Sequence, residues 1–308
     1  MGLGLGISVD WASLVPYYAQ VASAFKARVE ADGGTVESMS CLKADLKVLN
    51  PIKPPAFDSD YQAVLDYAAT QGYTTPSAAQ QTLQNTLVTD LKTAGVWSKL
   101  DAFSVYATDG DANFALIDWK RLTTQTATNS PTFTSNSGYR GDGVSARIQS
   151  GFVASTDGVN YQLTSASMFK YRYQVRTAGQ AQAYEGVFKA GNTYSLIASS
   201  PLTNCDNYIN QTSNPIFVSQ ITAANPAFQL LTRNGNSLAT YVDGVLEDSN
   251  SSSPLSVPDV DMWSLAANNG SSGTFFSDVG ISIDGYGGDL SAEQADFNTA
   301  IQNYISAL

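Results

Sequence analysis

The hydrophobic period of this chain changes once, near Ala102, from a helical repeat to an alternation of two. Before that point apolar residues recur at three- and four-residue spacing; after it they alternate with polar ones in short runs. The pattern predicts helical segments first and an antiparallel sheet structure after them.

The helical part has a hairpin and a second pair. Leu14, Tyr18, Val21 and Phe25 mark one amphipathic stripe, stopped by Asp32-Gly33-Gly34, and Met39, Leu42, Leu46 and Leu49 mark the next. The stripes keep heptad spacing for about two heptads. Either they pack on each other or on the main domain, or they form a docking or oligomerisation element contacting its partner through Leu14, Tyr18, Val21, Phe25, Leu42 and Leu46. Pro51, Pro54 and Pro55 make a stiff break. Beyond it Tyr61, Val64, Leu65 and Ala68 predict a short helix ending near Gly72. Thr75-Pro76-Ser77 opens another, with Ser77 and Gln80 as a capping box and Leu83, Leu87, Leu91 and Ala94 as the buried stripe before Gly95.

The alternating part predicts strands at Phe103–Ala107, Ala115–Trp119, Ser145–Phe152, Met168–Val175, Tyr184–Phe188 and Tyr194–Ala198. More are expected at Pro215–Val218, Phe228–Thr232, Leu238–Val242, Met262–Ala266 and Phe275–Ile283. Short strands divided by Gly, Asn, Ser and Pro point to a sandwich. Asp243-Gly244 suits a type I′ hairpin turn. In Met168–Tyr173 large apolar and basic residues alternate as in a half-exposed strand, with Lys170 and Arg172 free to face an acidic neighbour. A last helix carries Phe297, Ile301, Tyr304, Ile305 and Leu308 on one face, opened by a Ser291/Gln294 capping box and packed down at its end.

Composition excludes many functions. With no histidine among 308 residues there is no Ser-His-Asp triad and no HExxH zinc site. Cys41 and Cys205 cannot build a structural zinc site or a disulfide framework and read as free thiols. The net charge of −11 argues against nucleic acid. After Arg176 two bases, Lys189 and Arg233, stand against twelve acids, a net of −10 that repels DNA and anionic membranes alike. No stretch is apolar and long enough to span a bilayer, which takes about 20 residues. The first residues lack signal-peptide features, so a cytosol-made, soluble protein is expected.

In their order, several motifs resemble tailed-bacteriophage virion proteins. Phe25–Glu37 followed by Cys41 is similar to an N-terminal element recurring in them. The block from Asp60 to Asp118, with Thr75-Pro76-Ser77 and the run Leu87–Asp101, resembles their helical region. Ser130–Phe133, Gly138–Gly143, Tyr241–Gly244 and the closing Leu290–Gln294 resemble a laminin-G-like, concanavalin A-like jelly roll. The resemblance implies an α+β, mainly β chain in three parts: an N-terminal helical hairpin over 1–50, a helical region over 51–101 packed on the sandwich, and the sandwich with its C-terminal helix over 102–308. It also implies a non-enzymatic structural protein on the outer surface of a phage particle, as a head fibre, capsid decoration or tail-associated protein. The partners expected are other virion proteins and further copies of the chain, with no nucleic acid or membrane. The alternative is a host-surface carbohydrate-binding module, since such sandwiches often bind sugars.

Few groups suggest chemistry. Asp109, Asp111 and Asn113 space three oxygen-bearing side chains two apart, as a hard cation would want, and as a turn after a strand would also show. They leave a structural calcium ion open; no other cofactor is expected. Asp259 and Asp261 would share one side of a strand like paired glycosidase carboxylates, or be solvated loop acids. Tyr139, Tyr161, Tyr208 and Tyr286, in or near loops, are the candidate glycan contacts, by stacking on sugar rings or else by packing inward.

Overall fold

The computed structural model describes Phe57–Leu308 except residues 175–180, 190–192, 200–204, 212–214 and 219–225. The predicted hairpin over 1–50, with Leu14, Tyr18, Val21, Phe25, Leu42 and Leu46, lies outside the described residues.

Two helices come first, α1 at Ser59–Gln71 and α2 at Ala78–Thr93. Asp58 caps α1 by accepting from the Asp60 amide, and Gly72 ends it at φ 72°, a conformation glycine adopts without strain. Ser77 caps α2 by accepting from the Gln80 amide. The reciprocal half of the capping box is missing. The Gln80 side chain turns inward, donating to Ala107 O and Tyr304 Oη and accepting from the Asp109 amide. The buried face of α2 is therefore Gln80, Gln84, Leu87, Val88 and Leu91, with Leu83 and Ala94 only half-buried. On the outer side Thr82, Thr86, Thr89 and Thr93 each donate their hydroxyl to a carbonyl of their own helix.

The strands follow. β1 is Leu100–Val105; after a one-turn helix α3 at Ala112–Ala115 come β2 at Ile117–Asp118 and β3 at Thr123–Thr124. β4 is Thr126–Thr128, β5 Thr132–Thr134, β6 Gly138–Arg140 and β7 Arg147–Gln149, with α4 at Ala154–Asp157. Longer strands are β8 at Ser165–Gln174, β9 at Gln182–Lys189, β10 at Thr193–Ser199 and β11 at Cys205–Gln211. They continue with β12 at Ile216–Val218, β13 at Ala227–Asn234, β14 at Ser237–Val242 and β15 at Val245–Ser251. β16 at Trp263–Ser264, β17 at Ala267–Asn268, β18 at Gly273–Thr274 and β19 at Gly280–Gly287 precede α5 at Gln294–Ser306.

One sheet runs β15-β14-β13-β8-β19-β1-β2-β3, with β5 and β6 appended to β19. The other runs β12-β11-β10-β9-β16-β7-β4, with β17 and β18 beside β9. Apart from a single parallel contact between β17 and β9, the described pairings are antiparallel. Met168, Leu231 and Tyr286 of the first sheet meet Ile148, Tyr184, Ile197 and Ile209 of the second in one cluster, so the sheets form a β-sandwich. On the far side of the first sheet Phe103, Phe169, Phe228 and Ile283 pack against α1, α2 and α5. The result is three layers: helices, sheet, sheet.

The hairpin between β14 and β15 turns at Asp243-Gly244, with φ of 48° and 78°, the type I′ geometry its sequence demands. The C-terminal helix differs from expectation at both ends. Ser291 caps nothing: its Oγ donates to Asp289 and the helix begins at Gln294. Tyr304 anchors the last full turn through its hydroxyl to Ala107 O, but Leu308 is 38% exposed. Lys170 and Arg172 also depart from the half-exposed reading, at 0% and 1% exposure. Their strand alternates as expected, but helices cover one face and the second sheet covers the other, so neither face meets solvent.

Candidate functional site

Asp109 and Asp111 serve as backbone acceptors. Asp111 caps α3 by accepting from the Asn113 and Phe114 amides and also accepts from Thr74 N; Asp109 accepts from Ser77 N. These carboxylates tie the loop after β1 to the start of α2, and Asn113 sits in the capped turn. Among the described residues no group of three or more His, Cys, Asp or Glu is placed to hold a metal ion.

Three of the four candidate tyrosines have their rings inside. Tyr139 packs on Tyr106 and Phe133 and donates to Ala112 O. Tyr161 reaches Ser195 and Asn210, and Tyr286 stacks on Phe152 at 5.5 Å between centroids. These rings offer no face to a sugar. Tyr208 is half-buried, edge-on to Tyr194 at 5.5 Å.

Between the sheets lies a band of polar groups. Asp284 on β19 stands directly opposite Lys170 on β8. Its carboxyl meets Ser264 Oγ in a very short contact and Tyr106 Oη at 2.9 Å. The Tyr106 hydroxyl lies 2.7 Å from Gln125 Oε1, an acceptor whose partner nitrogen donates to Ser104. With the Tyr106 proton directed to Gln125, a proton on Asp284 completes the chain. Burial agrees, pushing the Asp284 carboxyl up to about 7 and Glu185 on β9 well above the ordinary carboxylate range. Lys170 Nζ and the Arg172 guanidinium both lie over the Tyr184 ring, at 4.8 and 5.3 Å. Gln229 donates to Asn207 and Arg233 to Ile209 O and Gln211 Oε1, bonds that cross from sheet to sheet. This band is sealed from solvent, and its Gln229 and Arg233 bonds tie the two sheets together.

The accessible polar site is at the rim, where the chain leaves the first sheet at β3 and enters the second at β4. A cleft of about 400 Å³ opens there, lined by Arg121, Thr123, Thr126, Gln149, Ser150 and Asp261. The Arg121 fork is held on three sides: Nε donates to Asp118 Oδ2 at 2.7 Å, and its terminal nitrogens donate to Gly151 O and Ser150 O at 2.7 and 2.5 Å. Phe152 lies beneath it at 5.5 Å. Asp261 is fixed as firmly, Oδ1 accepting from Ser150 Oγ and Oδ2 from Trp263 Nε1, both at 2.9 Å. Burial raises the Asp261 carboxyl, and those donors offset part of the rise. Asp259 points elsewhere, to Lys189 Nζ at 2.9 Å, and both acids lie in a loop, not on a strand. Reading the sequence missed Arg121 and Ser150; the local signal is the hydroxyl-rich run Thr123–Thr128 after Arg121, and Ser150 has none.

No family model matches the chain, and no curated protein matches it in sequence. Among solved structures it is similar to Trypanosoma rangeli sialidase. A mutant displaying trans-sialidase activity aligns with a TM-score of 0.50 at 12% identity, over 74% of this chain and 40% of that one. The sialidase in complex with sialic acid gives 0.49 at 11%, over 66% and 33%. The botulinum neurotoxin serotype D binding domain gives 0.43 at 9%, over 67% and 52%. The chain thus spans about a third to a half of these proteins' length, and at such identity the likeness to the sialidase is one of fold, a β-sandwich.

Proposed function

We propose that this chain is a non-enzymatic structural protein of a tailed-bacteriophage particle, attached through its N-terminal segment and carrying the sandwich on the outer surface. The sequence resemblance suggests the particle. The observation that supports display is that Phe57–Leu308 forms one compact unit, with helices and both sheets joined through its own cores. Such a unit needs no neighbour to cover its interior. Symmetric assembly of several copies fits this role. Mass spectrometry of purified virions tests it: the protein is expected as a stoichiometric component, open to antibody on intact particles. Its absence from virions defeats the proposal.

A second reading, recognition of host-surface carbohydrate, is favoured by the rim cleft, where accessible polar groups are fixed in place. A glycan array probed with the intact protein separates it from a purely structural role.

A further inference from the structure

We propose that the cleft between Arg121 and Asp261 is a binding site for a neutral sugar, held through a pair of adjacent hydroxyls. The proposal rests on the second reading above and gives it a place and a ligand class.

The first argument is rigidity. Ser150 links the two charged groups, its carbonyl accepting from Arg121 and its hydroxyl donating to Asp261. The single hydroxyl proton is shared between Asp261 Oδ1 and Met262 O, 2.9 and 2.6 Å away, while the oxygen accepts from the Phe152 amide, and Ser150 is 4% exposed. Both groups are therefore immobilised before any ligand arrives, so binding orders no long side chain.

The second is unused capacity. A guanidinium carries five N–H donors; three are engaged by protein, which leaves two on the terminal nitrogens. Asp261 accepts one side-chain donor at each oxygen and the Gly151 amide besides, which leaves about one acceptor site on the carboxylate. Free guanidinium donors next to a free carboxylate acceptor site match a vicinal diol, in which one hydroxyl donates to the carboxylate while its neighbour accepts from the guanidinium. The exposed Thr123 and Thr126 hydroxyls and the Gln149 amide extend the same neutral hydrogen-bonding surface along the β3–β4 edge.

Charge selects the class. The Arg121 charge is already matched by Asp118, whose side chain is fully buried beneath it. Asp261 then leaves the cleft with one net negative charge. A phosphate, sulfate or sugar acid meets repulsion, while a neutral polyol meets none. With so few contacts in an open cleft, a single sugar binds in the millimolar range.

The Trp263 indole N–H is a built-in reporter, because it donates to Asp261. The intact protein, isotope-labelled, is titrated with the methyl glycosides of galactose, glucose, mannose and N-acetylglucosamine, and with N-acetylneuraminic acid as the charged counterpart. At least one neutral glycoside is expected to shift the Trp263 indole and Arg121 Nε signals saturably, and N-acetylneuraminic acid to leave them still. Asp261→Asn and the surface change Thr126→Ala should each weaken binding, the first by about tenfold as one charged hydrogen bond is lost. Thr126 is exposed, so its variant keeps the fold. Silence of all four glycosides, binding of the charged sugar, or shifts indifferent to both variants overturns the proposal. If array binding persists in Asp261→Asn, carbohydrate recognition stands and this cleft falls.

Discussion

The first sheet has two faces, both with apolar cores, and they differ in the buried charge they carry. Toward the helices it presents Phe103, Phe169 and Phe228, and Phe297 of α5 sits edge-on to the last two at 4.8 and 4.9 Å. Toward the second sheet the same strands present Lys170, Arg172, Gln229, Arg233 and Asp284. The helix side is held by shape and by removal of apolar surface, which are strong and non-directional. The inter-sheet side is held partly by directed hydrogen bonds, which add little net stability each but penalise any slip in register that leaves a buried group unpaired. Both interfaces bury apolar side chains, and the inter-sheet one adds directed cross-links from Gln229 to Asn207 and from Arg233 to Ile209 and Gln211.

That contrast can be broken at its strong end. Phe297→Ala removes a fully buried ring between two others and should cost about 3–5 kcal/mol, read as a lower urea midpoint. At the polar end the expected signature is pH. The folded protein holds the Asp284 proton up to about 7, whereas an ordinary aspartate releases it near 3.8. Folding therefore opposes ionisation. The Asp284 contribution to stability is full below about pH 4, falls as pH rises and levels off above about 7, a total on the order of 4 kcal/mol. Urea titrations at pH 5 and pH 8 should show that decline in the wild type and a smaller one in Asp284→Asn. The remainder comes from Glu185, whose carboxyl is raised in the same sense. A wild type equally stable at both values would mean that Asp284 is ionised throughout.

Smaller effects sharpen the comparison. Gln84 is a polar residue on the apolar side, taking the Tyr61 hydroxyl and donating to Thr108 and Tyr304. Gln84→Ala strands those partners and should cost about 2 kcal/mol in thermal or urea unfolding. Ser77→Ala should cost about 1 kcal/mol through the lost cap, against a few tenths for Ser291→Ala, whose hydroxyl caps nothing. Similar losses from both serines would contradict the cap assignment.

The same contrast explains what could be read from the sequence. Local devices were legible: the Gly72 stop, the Ser77 cap and the Asp243-Gly244 turn depend on neighbours a few residues away. So was the alternation of β8, though not what covers each of its faces, since that depends on β9 and α5, far along the chain. β11, Cys205–Gln211, escaped because its inward Asn207 and Asn210 are polar and its partners lie on other strands. β3 and β4 escaped because two or three residues carry no period. The cleft stayed hidden for a related reason: Arg121, Ser150 and Asp261 are ordinary polar residues until folding brings them together.

The threonine row on α2 has a consequence for whatever meets the molecule from that side. Each hydroxyl is already turned back onto a carbonyl of its own helix. What projects outward is methyl groups without charge and donors already committed. A surface approaching there finds little to grip by polarity and, on this row, no charge to repel it. That row is a bland strip of the helical side, along which crowded neighbours can lie close without recognising one another.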